Sequence, residues 1–163
     1  MTTFDGYARK LLRVDLTSQR ITCDTLDEAT LRKYVGGTGL GTKFLYEEVP
    51  PERSWSDAEN RLIFASGPLN GTIICGSGTF SVVTKGPLTN GATSVQANGF
   101  FGALLKFSGY HAIILQGASK EWSYLHIENE VAELREASHL VGKDTFATED
   151  LIKQELGKTE RQM

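Results

Sequence analysis

Positive charge is sparse in this sequence. Seventeen Lys and Arg stand against 20 Asp and Glu, for a formal charge of −3 over 163 residues. No basic stripe appears, so the phosphate neutralisation that nucleic-acid binding requires is missing. Cysteine is scarcer still: Cys23 and Cys75 lie far apart. Two thiols cannot complete a four-ligand zinc or iron–sulfur site, and nothing else argues for a disulfide. They read as small packed or semi-exposed thiols. No apolar run is long enough to span a bilayer. The opening "MTTFDGYARKLLRVDL" lacks the apolar core of a signal peptide. The expectation is a cytoplasmic chain of one domain, residues 1–163, with neither nucleic acid nor membrane as a partner.

Familiar catalytic patterns are missing as well. There is no Gly-x-Ser-x-Gly elbow, because Cys75 stands two places before Ser77. "VGKDT", residues 141–145, lacks the upstream glycine of a phosphate loop and carries Asp144 where Ser or Thr belongs. "GGTGLG", residues 36–41, follows a helical pattern instead of a strand, so it reads as a helix–helix corner. A lesser alternative has its amides greet an anion at the start of the second helix. His111, His126 and His139 form no metal-binding pair and read as partly exposed structural residues. No catalytic residue and no metal ligand is assigned in this chain.

What is plentiful is glycine, with 17 residues clustered at 36–41, 67–78, 86–102 and 109–117. Glycine loses more backbone freedom on folding than other residues, so clusters mark tight turns or close approach to the main chain. The rest of the pattern is regular. "KLLRVDLTSQRITCDTL" alternates as a hairpin should. "LDEATLRKYVGG" is a short helix with Asp27 as its N-cap, and "GLGTKFLYEEVPP" is a second helix stopped by Pro50-Pro51. "RLIFAS" and "TFSVVTK" are strands. In the second, Val82 and Val83 break alternation, which predicts burial on both faces. "NGATSVQANG" looks polar and irregular, and Phe100 to Phe107 has helical spacing. "HAIILQG" is a buried strand, "WSYLHIENEVAELRE" a hairpin, and "DTFATEDLIKQELG" an amphipathic helix capped by Asp144 or Thr145. Hairpins with interspersed helices predict an α+β fold with mixed or antiparallel sheets. Hairpin, helix and Gly-rich loop recur loosely in both halves, which hints at an internal duplication.

The stretch "GPLNGTIICGSGTFSVVTKGPLTNG", residues 67–91, states nearly the same corner twice. Prolines fix its direction and glycines let amides point outward. Ser77, Thr79, Thr89, Asn90, Gln96 and Asn98 offer neutral donors and acceptors. Such a surface can hydrogen-bond a flat heterocycle or cradle phosphate in backbone nests. Two well-packed loops between strands explain the same residues equally well.

Five blocks in order, "YVGGTGLGTKFLYEEVPP", "ENRLIFASGPLNGT", "FSVVTKGPLTNG", "NGFFGALLKFSGYHAIILQG" and "ASHLVGKDTFATED", closely resemble the N-terminal domain of the aldehyde ferredoxin oxidoreductase family. The resemblance runs over nearly the whole chain. It implies a platform-like α+β domain beneath a tungsten (or molybdenum) ion held by two pterin dithiolenes. It further implies oxidation of aldehydes to carboxylic acids, with electrons passed through a [4Fe–4S] cluster to ferredoxin. Magnesium bridging the pterin phosphates is part of the same expectation. Helical C-terminal domains, or a second subunit, would bring the cluster ligands, and the abrupt "TERQM" suggests a fragment or subunit of a longer enzyme. A homodimer is a further expectation. The cofactor-facing residues this implies are Ser77, Gly78 and Thr79 in one elbow and Gln96, Asn98 and Gly99 in the next loop. Lys85 and Lys106 could steer phosphate, though solvated structural roles fit them better. The sequence departs from the family at Thr38 and Thr79, where many members carry arginine. Loss of a guanidinium costs roughly 1.5–3 kcal/mol of local phosphate binding. The rival reading is a non-catalytic binding or assembly module derived from this domain.

Overall fold

The computed structural model describes residues 6–158. The chain begins with a hairpin, β1 (Lys10–Asp15) and β2 (Arg20–Thr25). Two helices follow, α1 (Glu28–Tyr34) and α2 (Gly37–Glu48). Asp27 caps α1, its carboxylate accepting from the Thr30 amide at 2.8 Å; such a cap satisfies one of the amides every helix start leaves free. Then come β3 (Arg61–Ala65), β4 (Phe80–Lys85), β5 (Ala92–Ala97), α3 (Phe101–Phe107) and β6 (Ala112–Gln116). A second hairpin, β7 (Ser123–Glu128) with β8 (Val131–Glu136), leads to α4 (Thr145–Glu155), capped by Asp144. The plan of hairpin and then Asp-capped helix therefore occurs twice.

Six strands form one mixed sheet in the order β2-β1-β6-β3-β4-β5; β7 and β8 pair by themselves. Only β1 and β6 run parallel. The register sorts side chains onto two faces, since residues directly opposite share a face. Leu11, Ile63, Ala65, Val83, Ala112 and Ile114 lie on one face and pack against Leu31, Leu40, Phe44 and Leu45 of α1 and α2. Gly41 permits this contact: a Cβ there would come 2.6 Å from Val83 Cγ2. At the far end of α2, Glu48 accepts from Arg13 of β1 at 2.6 Å and Arg61 of β3 at 3.1 Å, which ties the helix across the sheet. Burial pushes the Glu48 carboxyl upward, but these guanidinium bonds outweigh it and hold it below the ordinary value.

The opposite face is only half covered. Leu12, Val14 and Ile113 are sealed by Leu105 and Tyr110, with Leu125, Ile127 and Leu134 of the second hairpin packed around them. Over β3, β4 and β5 no such layer is present among the described residues. Leu62, Val95, Phe101 and Leu104 stay exposed there, beside half-buried Phe64, Phe80 and Val82. The broken alternation at Val82-Val83 predicted burial on both faces of that strand. Instead Ser81, Val83 and Lys85 are buried and Phe80, Val82 and Thr84 half-buried. "ATSVQA" is a further correction: it forms the edge strand β5, paired along its whole length with β4.

Candidate functional site: a polar ledge at one end of the sheet

Because β3, β4 and β5 are antiparallel neighbours, their connections alternate between two ends of the sheet. The loop 66–79 enters β4 at one end. The second Gly-Pro corner, 86–91, leaves it at the other. The five rises of about 3.3 Å between Phe80 and Lys85 separate them by roughly 17 Å along the strand. The two corners therefore cannot form one floor, and Thr89 and Asn90 do not belong with the other predicted residues. Asn90 instead latches a neighbouring loop: its Oδ1 accepts from the Trp55 amide at 2.7 Å and its Nδ2 donates to Arg53 O at 3.0 Å.

The first corner does meet the loop that follows β5. Gly78 and Gly99 pack backbone to backbone, so closely that a Cβ on Gly78 would overlap the Gly99 carbonyl oxygen. Beside them the Thr79 hydroxyl donates to Asn98 Oδ1 at 2.5 Å. A shallow cleft runs along this seam, lined by residues 76–79, Asn98, Gly99, Phe100 and Ala103. It shares Thr79 with a neighbouring cleft of about 320 Å³ whose walls include Gly36, Thr38, Asn70, Ser81 and Gln96. That volume is at the small end of ligand pockets, and Thr38, Gly39 and Gln96 at its rim are exposed. The shape is a ledge for one side of a flat molecule. All six predicted residues, Ser77, Gly78, Thr79, Gln96, Asn98 and Gly99, line one or other of these two clefts.

Their side chains are not equally available. The Ser77 hydroxyl is spent inside its own loop, donating to Thr72 O at 2.7 Å. Gln96 lies opposite Ser81 on the face that α2 covers, at the exposed edge strand. Thr38, at the start of α2, reaches both Ser81 Oγ (3.2 Å) and Ser94 Oγ (2.7 Å), so the helix start and β5 are stitched by hydroxyls. Among the described residues the amides of Gly76, Gly78 and Gly99 donate to no acceptor within the chain. Gly76 and Gly99 also have open space where a Cβ would stand, at φ +82° and +132°. No Lys or Arg lines either cleft. This donor set fits the hydrogen-bonding edge of a heterocycle, and an anion there would lean on backbone amides.

Asn70 went unremarked in the sequence, yet it organises the corner. It is buried; its Oδ1 accepts from the Gly67 amide at 2.6 Å and its Nδ2 donates to Thr79 O at 2.7 Å. The signal was present in the turn-forming asparagine of "GPLN". Neither lysine lines the clefts or sits free in solvent. Lys85 is buried and donates to Pro50 O (3.4 Å), Pro51 O (2.8 Å) and Arg53 O (2.5 Å). Lys106 is half-buried and donates to Gly6 O (2.6 Å), Pro68 O (2.8 Å) and Gly67 O (3.4 Å). His111 is likewise not partly exposed. It is fully buried behind the corner, and its Nε2 finds no hydrogen-bond partner. Burial, aided by the nearby Lys106 charge, lowers its pKa to about 4. Both cysteines are exposed. Among the described residues no group of three or more His, Cys, Asp or Glu could hold a metal, and no helix is long and apolar enough to cross a membrane.

Residues 11–163 match the family profile of the aldehyde ferredoxin oxidoreductase N-terminal domain. The chain belongs to that family. It is 42% identical over 152 residues to a tungsten-containing aldehyde ferredoxin oxidoreductase of Pyrococcus abyssi, covering 93% of this chain and 25% of that protein. A Pyrococcus furiosus protein, the WOR-like subunit of an aliphatic sulfonate oxidoreductase, is 38% identical over 140 residues, covering 84% and 22%. Among solved structures, the active-site complex BamBC of benzoyl coenzyme A reductase, bound to 1,5-dienoyl-CoA, superposes with a TM-score of 0.92. It is 38% identical, over 96% of this chain and 24% of that one. The chain thus spans about a quarter of the length of these oxidoreductase relatives and corresponds to their N-terminal domain.

Proposed function

We propose that this chain is the cofactor platform of a tungsten (or molybdenum) bis-pterin oxidoreductase that converts aldehydes to carboxylic acids. The observation that carries the reading is the seam where Gly78 meets Gly99 and Thr79 meets Asn98, with unused amides and no charged side chain. The metallopterin, when bound, supplies the two-electron redox chemistry, with a [4Fe–4S] cluster outside these residues relaying electrons to ferredoxin. This chain's share is binding and orientation. The Gly76, Gly78 and Gly99 amides would hold pterin edge atoms or phosphate oxygens, with magnesium shared between the phosphates. Asn98 and Thr79 fix the seam beneath them, and Gln96 and Thr38 close its rim. The relatives are named for aldehydes, aliphatic sulfonates and benzoyl-CoA. One platform serving such different substrates supports a role in holding the shared cofactor, with substrate choice made elsewhere.

A second feature bears on partners. The apolar stretch of Leu62, Val95, Phe101 and Leu104 is open to solvent on this quarter-length chain. Such a face marks an association surface. Helical C-terminal domains, or a second subunit carrying them, are the occupant that fits the lengths of the relatives. A homodimer is the rival, as is a pure assembly module that binds no pterin. Size-exclusion with and without metal-free molybdopterin separates these outcomes. The direct test of the platform is Thr38→Arg at its exposed rim, which restores a guanidinium that the resemblance places there and leaves the Thr79–Asn98 bond in place. It should tighten binding of metal-free molybdopterin about tenfold, the worth of one charge-assisted bond. Unchanged or weaker binding counts against the ledge as the phosphate-side shelf.

A further inference from the structure

Lys106 lies in the last turn of α3, next to the first corner but lining neither cleft of the ledge. A lysine there ordinarily extends into water beside the helix's own carbonyls. This one turns away and gives its ammonium to Gly6 O, Gly67 O and Pro68 O at 2.6, 3.4 and 2.8 Å. Among the described residues its partners are carbonyl oxygens, and burial alone pulls its pKa below the ordinary lysine value. Desolvating an ammonium for dipoles is unfavourable unless its bonds are well made. What they hold in place is a short relay. Gly67, whose carbonyl meets the ammonium, donates its amide to Asn70 Oδ1; Asn70 Nδ2 donates to Thr79 O; the Thr79 hydroxyl donates to Asn98 Oδ1. Each contact joins a separate piece of backbone: the N-terminal segment, the corner, the entry to β4, and the loop after β5.

We infer that Lys106 is a positioning residue for the cofactor ledge, clamping the first corner so that Asn70 sets Thr79 against Asn98. This rests on the ledge being the pterin shelf proposed above. The clamp acts without touching the ligand. A point-like ammonium suits it, because three carbonyls converge on one atom from different directions.

The test uses the full chain with Lys106→Met and Lys106→Arg and reads two quantities. The first is amide exchange at Gly71 and Thr79, whose hydrogen bonds to Ser77 O and Gly76 O close the elbow. The second is affinity for metal-free molybdopterin. The Met variant should exchange at least tenfold faster at Gly71 and Thr79, with Ile63 and Ile114 in the core unchanged, and should bind about tenfold more weakly. The Arg variant, which keeps the charge but spreads its donors over a planar fork, should recover only part of both. Unchanged exchange at the elbow, or equal acceleration in elbow and core, would overturn the clamp. So would a Met variant that binds as tightly as the parent. If the parent itself binds no molybdopterin, the platform reading fails while the exchange arm still decides the clamp. Should the Met variant not fold, Asn70→Ala cuts the same relay one step on. The relay requires faster exchange at Thr79 and weaker binding in that variant, and parental values for both overturn it.

Discussion

The two Gly-Pro-Leu corners read almost alike, "GPLNG" at 67–71 and "GPLTNG" at 86–91, yet they do opposite things. Each has an asparagine and a lysine in attendance. At the second corner both point across to a neighbouring loop: Asn90 bonds Arg53 and Trp55, and Lys85 gathers the carbonyls of Pro50, Pro51 and Arg53. That corner is a latch. At the first, Asn70 and Lys106 turn inward on the corner itself, which leaves the amides of Gly76 and Gly78 facing outward. The same residue types close one end of the sheet and hold the other open. A local motif therefore sets the stiffness of a turn, while its place in the strand order sets its use.

That contrast can be broken in three ways. The largest effect belongs to Lys85→Met at the latch. It removes three charge-assisted bonds that tie the corner to residues 50–53 and should cost on the order of 3 kcal/mol of stability in urea unfolding. The affinity of the folded fraction for metal-free molybdopterin should hold within twofold. A parallel loss of affinity would mean that the two ends are coupled. Next, Asn70→Ala and Asn90→Ala form a matched pair. The buried Asn70 amide should cost about 2 kcal/mol and the exposed Asn90 amide about 1 kcal/mol. Only the Asn70 change should weaken pterin binding. Equal effects on binding would erase the distinction.

The third effect is absent at neutral pH: an acid dependence belonging to the first corner. Ser66, at its base, bonds the His111 carbonyl through both its amide (3.0 Å) and its hydroxyl (2.8 Å), and His111 has a pKa lowered to about 4. Between pH 6.5 and 4 the unfolded chain takes up a proton that the folded chain refuses. Stability therefore falls as pH drops through that window and is unaffected by this group above it. The slope should be roughly 1 kcal/mol per pH unit, and His111→Gln should flatten it. An unchanged slope in that variant would assign the acid sensitivity elsewhere.

Much of this was legible from the residues. Both hairpins, the capping of α1 by Asp27 and the stop at Pro50-Pro51 follow from alternation and turn chemistry and are where they were expected; of the two cap candidates for α4, Asp144 and Thr145, the helix uses Asp144. β5 was missed because "ATSVQA" carries one large apolar residue, Val95. As an edge strand with little buried on either face it has no alternation to show. The pairing of Gly78 with Gly99 was within reach, since both loops were singled out. The separation of the two corners was not, because it depends on which neighbour β4 takes on each side. The inward lysines were the least legible. Nothing local in "VTKGP" or "LLKFSG" reveals that carbonyls from distant segments converge on the ammonium.

The most direct test of the ledge is amide exchange of the full chain with and without metal-free molybdopterin, compared at the two ends of β4. Protection should appear at Gly76, Gly78 and Gly99, while residues 86–91 exchange as before. Protection confined to 86–91, or none at Gly78 and Gly99 under saturating ligand, would contradict the assignment of the first corner as the cofactor shelf.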